Sequence, residues 1–181
     1  MNNPSEEKEN TRDRKRIIAL ILSGLTVLII IPLISIFVSN YFTSVFNLPI
    51  VLFYPLNVII AIVVFLLGFF WAGWSNIVLY KIGKGTPVPL KGTQTIKLVI
   101  QGPYKYTRNP MVFGYILLWV GLGFLFNSYI ILIGFTTLML LFLILFVKLW
   151  EEKNLEQRFG ESYREYKSRV SMIFPLPEKK K

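Results

Sequence analysis

Apolar positions along this chain fall into long unbroken runs rather than into short alternations. Residues 17–80 hold no charged side chain, and residues 111–147 hold none. Uncharged runs of that length predict membrane-spanning helices. The pattern divides into four spans, about 17–39, 55–80, 111–127 and 129–149. Only Asn127-Ser128 separates the last two, which predicts a tight helical hairpin over 111–149. The third span is short for a bilayer, so either its neighbours shield part of it or the helix begins before Met111. Gly24 and Pro32 lie inside the first span, where membrane helices tolerate both. Gly121-Leu122-Gly123 in the third reads as a close helix contact rather than a cofactor-binding turn. The first run is longer than the apolar core of a secretory leader and no small-x-small cleavage site follows it, so it reads as a span. No internal repeat is visible.

Two polar segments interrupt the apolar pattern. The first, KIGKGTPVPLKGTQTIKLVIQGPYKYTRNP at 81–110, is too rich in glycine and proline for one long helix and reads as a structured loop. Residues 94–100, QTIKLVI, suggest a short surface element within it. The second, WEEKNLEQRFGESYREYKSRVSMIFP at 150–175, spaces Leu155, Phe159, Tyr163, Tyr166 and Val170 by four, four, three and four. That is one face of an amphipathic helix, continuing the fourth span or bending off it near Gly160. Its plain reading is a helix lying on the headgroups. The expected fold is therefore all-α and integral to the membrane: four transmembrane helices, a C-terminal helical hairpin and a cytoplasmic amphipathic helix. Residues 1–16 read as a disordered polar arm, 17–80 as two N-terminal spans, and 81–181 as the region that carries the chemistry.

Charge orients this arrangement. Arg12, Arg14, Lys15 and Arg16 precede the first span. Six Lys or Arg residues and no acid lie in 81–110, and Lys148, Lys153 and Arg158 follow the fourth span. The 40–54 loop and the 127–128 turn carry no charge. By the excess of Lys and Arg on inner loops, both termini and the 81–110 loop face the cytoplasm. The same clustering accounts for the net charge of +10 without a nucleic-acid partner. The chain has no histidine and no cysteine, which removes disulfides, thiol nucleophiles, imidazole bases and the usual zinc ligands; no metal is expected.

The candidate chemistry sits where the apolar runs meet that inner side. Glu151 and Glu152 are the first acids after Asp13. A helix leaving a membrane needs polar residues, yet Lys or Arg would suit the inner face better. Ionisable groups at that depth are functional candidates. Arg108 stands between Thr107 and Asn109, just before a proline that fixes a helix start. Alone it reads as a positive-inside anchor. A guanidinium also binds a carboxylate at two points, so Arg108 with the Glu pair suggests a site for a zwitterion.

These stretches resemble a known family. GPYKYTRNPMVFG followed by EEKNLEQRFGESYREYKSRV is similar to the membrane methyltransferases typified by isoprenylcysteine carboxyl methyltransferase and the phospholipid N-methyltransferases, and GKGTPVP upstream resembles many microbial members. The likeness covers about 83–175. It implies S-adenosylmethionine as methyl donor and an amphipathic acceptor reached from the lipid: a prenylcysteine-type carboxylate or a lipid amine. It also implies that Gly102, Pro103, Tyr104, Arg108, Asn109 and Pro110 line the cofactor pocket from one side. Glu151 and Glu152 would close it from the other, with Tyr163, Tyr166 and Arg169 on a covering helix. Among these, Arg108, Glu151, Glu152 and Arg169 are the candidates for work on the substrate, and Lys148 is a further cation for a substrate carboxylate. Asn109 stands where many members have histidine and cannot titrate; Val112 stands where a tyrosine is common. Sterol-type NADPH reductases carry a similar loop, but theirs reads Gly-Leu-Trp-x-Tyr-x-Arg-His-Pro-Asn-Tyr, whereas Pro103, Tyr104, Asn109 and Met111 stand here. A non-catalytic lipid-binding protein is the remaining alternative.

Overall fold

A computed structural model describes residue 18 and residues 25–84 and 95–178. The expected polar arm at 1–16 and the GKGTPVP stretch beyond Lys84 lie outside the described residues. Among the described residues the chain is helical and contains no strand. Helix α1 runs Thr26–Phe46, α2 Leu56–Gly83, and α4 Ile130–Phe159; each is long and apolar enough to cross a membrane. Helix α3, Pro110–Leu125, is apolar but has only 16 residues, about 24 Å at the usual rise. It begins at Pro110, one residue before the expected start. Residues 95–100, expected to hold a short surface element, form no regular structure.

The short α3 packs along α2. Its Gly114 lies so close to α2 that a Cβ there would meet Gly68 O at 2.7 Å and Ala72 N at 3.0 Å. Small residues let two backbones approach in this way, which is how helices associate in lipid. The Gly121-Leu122-Gly123 stretch does the same work. A Cβ on Gly121 would strike the Phe65 ring, and one on Gly123 would fall 2.6 Å from Leu132 Cα in α4. Trp119 of α3 stacks on Phe135 of α4, 6.0 Å between centroids. Asn127 turns the chain with φ +52, and its side chain accepts from Val51 N and Leu52 N. Helix α1 joins this group through a Ser39–Ser128 hydroxyl contact and a Tyr115 Oη to Val27 O bond.

The fourth apolar run does not stop at the membrane boundary. It continues without a break from Ile130 to Phe159 and ends at Gly160, whose φ of +55 and ψ of −127 only glycine adopts readily. Helix α5, Glu161–Arg169, then sets off in a new direction. The periodic face survives this break: Tyr163, Tyr166 and Val170 form a buried cluster with Leu155, Phe159 and Leu98 packed against it. The polar half of the chain thus folds back over the ends of α2 and α3.

Candidate functional site

The site grows from the turn before α3. Gly102 takes φ +62, and a Cβ there would press on Val78 of α2. With Pro103 fully buried behind it, the Gly102–Lys105 3-10 turn is pinned to the end of α2. Tyr104 then points inward, sharing a hydrogen bond with Ser75 (2.9 Å). Burial pushes its hydroxyl up to about 12. Helix α3 starts at Pro110, which fixes the direction of Arg108 and Asn109.

Arg108 and Glu152 meet directly, Nη1 to Oε1 at 2.5 Å, with side chains 9% and 6% exposed. The second oxygen of Glu152 pairs with Lys167 at 2.8 Å, and Lys167 also reaches Glu156 at 2.8 Å. These bonds, that to Glu152 first, raise the Lys167 ammonium pKa above its ordinary value. The network ties the loop, the end of α4 and α5 together. Removing one member of a buried pair leaves the other charge uncompensated, at a cost of about 3–5 kcal/mol.

Glu151 is placed differently. One residue along a helix is a turn of about 100°, so Glu151 leaves the network and lines a cavity of ≈ 560 Å³. Tyr104, Arg108, Asn109, Pro110, Tyr163 and Tyr166 line the same cavity, as do Arg158 and Asn154. Gly102, Pro103, Glu152 and Arg169 are not on its wall. The first two support the turn, and Glu152 holds Arg108 and Lys167. Arg169 faces away, paired with Glu178 at 3.1 Å and Glu165 at 3.8 Å. Lys148 is absent from the wall as well. Burial, reinforced by the Glu152 charge, pushes Tyr163 up to about 12, and burial also raises Tyr166. These phenols therefore stay protonated near neutral pH. Among the described residues the buried Arg108 Nε has no hydrogen-bond partner. Phe146 and Trp150 line the cavity and yet are 42% and 72% exposed on the outer face of α4, so cavity and lipid-facing surface share a wall.

Several members were beyond the reach of sequence reasoning. Arg158 donates to Thr95 O and lies over the Phe159 ring. The chain after α5 returns beside the loop: Arg108 N donates to Ser171 O at 2.8 Å, and both Thr107 Oγ1 and Asn109 Nδ2 donate to Met172 O. Such long-range backbone partners leave no periodic trace. Lys167 lies 15 and 11 residues from Glu152 and Glu156, so its pairing with them left no local sequence signal either. Among the described residues no three acidic side chains converge as metal ligands would.

A family model of phospholipid methyltransferases matches residues 56–162. The chain belongs to the phospholipid methyltransferase family. The match takes in α2, α3, α4 and the Arg108–Glu152 contact. It starts earlier than the stretch in which the likeness was legible, and so includes α2, which packs against α3 and carries Ser75. It stops before Tyr163, Tyr166 and the returning tail. Membership in the phospholipid methyltransferase family implies a membrane methyltransferase with S-adenosylmethionine as its donor, and the three long apolar helices agree with an integral membrane protein. No curated protein matches the chain.

Proposed function

We propose that this protein binds S-adenosylmethionine in the cavity beneath α5 and transfers its methyl group to the amine of an amphipathic lipid. The observation that carries this reading is the division of labour between the two adjacent glutamates. Glu152 is neutralised by Arg108 and Lys167, while Glu151 makes no ion pair among the described residues and lines the cavity. The cavity volume, ≈ 560 Å³, lies within the range of ~300–1,000 Å³ common for ligand pockets.

The residues suit the cofactor. Arg108 Nε, buried and unpartnered, would receive the carboxylate of the methionine part. Glu151 would face positive charge, and Leu155, Phe159, Tyr163 and Tyr166 supply apolar wall. When bound, the cofactor supplies an electrophilic methyl on a sulfonium, open to in-line displacement. The protein's work is to align donor and acceptor and to keep water out. Tyr166 contributes by donating from Oη to Tyr104 O at 2.7 Å, which ties the cover to the loop.

A protonated amine acceptor must lose a proton before its lone pair attacks. Among the wall residues the tyrosines hold their protons, and Arg108 and Arg158 are permanently cationic. Glu151 is the wall carboxylate left to orient the amine and accept that proton. A carboxylate acceptor, of the prenylcysteine type, would instead need a spare cation. Arg169 and Lys148 are off the wall, Arg108 is paired with Glu152, and Arg158 is held by the Thr95 carbonyl at the exposed rim; Glu151, the wall carboxylate without an ion pair among the described residues, favours the amine. The aromatic wall shared with the outer face of α4 supports entry of the acceptor from the lipid. The basic residues around 81–110 support a cytoplasmic site with both termini on that side.

Calorimetry of S-adenosylmethionine with the detergent-purified protein tests the reading. Micromolar binding, lost in Arg108→Ala, is expected. No binding at millimolar donor to protein that melts cooperatively would overturn it.

A further inference from the structure

The segment after α5, Ser171–Glu178, belongs to no helix and lies outside the stretch matched by the family. Its backbone is held in register along the Arg108 loop. Arg108 N donates to Ser171 O, and Leu176 N donates to Tyr106 O at 3.0 Å. This register sorts the side chains. Ile173 turns inward and is 3% exposed, while Phe174 and Leu176 turn outward and are 51% and 54% exposed. Phe174, just before Pro175, and Leu176, between Pro175 and Pro177, are two outward apolar side chains on a short segment that the described residues leave half uncovered.

Their surroundings say what covers them. Phe174 meets the ring of Phe113 edge-on at 6.4 Å, and Phe113 meets Trp71 edge-on at 5.2 Å. Phe113 lies in the first turn of α3, and Trp71 lies in α2. Phe174 is therefore level with the first turn of α3, where that apolar helix begins against α2. Tyr106, hydrogen-bonded to the segment through its carbonyl, is 41% exposed beside it. Lys105 is exposed next to Tyr106, and Lys179, Lys180 and Lys181 follow Glu178 in sequence. Glu178 is engaged by Arg169. An apolar face with an exposed Lys105 beside it and a run of cations next in sequence matches an anionic leaflet. Irregular backbone exposed to lipid is not tolerated in the hydrocarbon core, so the matching depth is the boundary between headgroups and acyl chains.

We propose that Ser171–Glu178 is a membrane-docking strap seated in that boundary, on the leaflet that faces the Arg108 loop, with Phe174 and Leu176 as its anchors. The partner is the lipid surface itself. The strap also holds the loop by its hydrogen bonds to Arg108 and Asn109, so the bilayer steadies one wall of the cavity. This inference does not rest on the donor or the acceptor and stands or falls separately from them.

The absence of cysteine makes the test direct. Phe174→Cys, Leu176→Cys and Tyr106→Cys are each labelled with a nitroxide, with Ser168→Cys on the exposed face of α5 as reference. Each protein is placed in lipid nanodiscs containing anionic phospholipid. Collision rates with oxygen, which partitions into lipid, and with a water-soluble nickel chelate are then compared. At 174 and 176 the ratio of oxygen to nickel accessibility is expected to exceed that at 168 by severalfold. Ratios equal to that at 168 would overturn the proposal. So would exclusion of both reagents with an immobilised spectrum, since that marks a protein surface, such as a second copy, as the cover. Three labelled sites guard against one that disturbs folding.

Discussion

Two glutamates side by side serve unlike ends because successive residues on a helix point in different directions. Glu151→Gln removes a charge from the cavity wall and leaves the ion-pair network intact. The expected result is a loss of S-adenosylmethionine affinity of about tenfold, equivalent to about 1.4 kcal/mol, with an unchanged melting temperature. Glu152→Gln breaks the contacts to Arg108 and Lys167. It is expected to destabilise the protein by a few kcal/mol, read as a lower melting temperature in detergent. Equal melting temperatures for the two variants would show that the pairing carries no stability. Asn109→Ala removes a bond to Met172 O while Thr107 keeps its own, so a cost of about 1 kcal/mol is expected from the same melts. Arg108 and Glu152 could be singled out in sequence, since each stood against the apolar pattern. Their direct contact was not. A zwitterion held between Arg and a Glu pair and an internal ion pair use the same residue types, and only side-chain direction separates them.

Among the elements, the apolar runs were the most legible part, because their length and lack of charge leave few alternatives. Their ends were less so. The Ile130–Phe159 helix carries its charged residues beyond the apolar stretch without a break, since nothing before Gly160 forbids helix. The face Leu155–Val170 kept its partners although the axis changes at Gly160, because burial of that cluster fixes it more strongly than helix continuity. The returning strap had no local signal; its partners are 60 or so residues away. Glycines divide the helices into tight and open contacts. Gly114→Ala drives a Cβ into Gly68 O and is expected to lower stability by about 1–3 kcal/mol. Gly134, with nothing within 4 Å of its Cβ position, is expected to accept alanine with no loss. Thermal melts of both variants decide this, and a neutral Gly114→Ala would contradict the close approach of α2 and α3.

The whole molecule combines a lipid-facing helical body with a polar cover closed by buried tyrosines. Tyr104, Tyr163 and Tyr166 have hydroxyls raised above the ordinary value of 10.0 by burial, and Lys167 is raised by its carboxylate partners. In each case the folded state holds its proton to higher pH than the unfolded chain. The stability present below pH 10 is therefore lost as pH rises through about 10 to 12. Melting temperature is expected to fall steeply over that window, and less steeply in Tyr166→Phe, which removes one of the titrating groups. The central claim is methyl transfer to a lipid amine in this cavity. Its most direct test is incorporation of radiolabelled methyl from S-adenosylmethionine by the protein in nanodiscs of amine-headed phospholipid, beside a prenylcysteine analogue. Label in the phospholipid fraction, abolished by Glu151→Gln, is the predicted result; label in the prenylcysteine analogue alone, or full transfer by Glu151→Gln, would contradict the account.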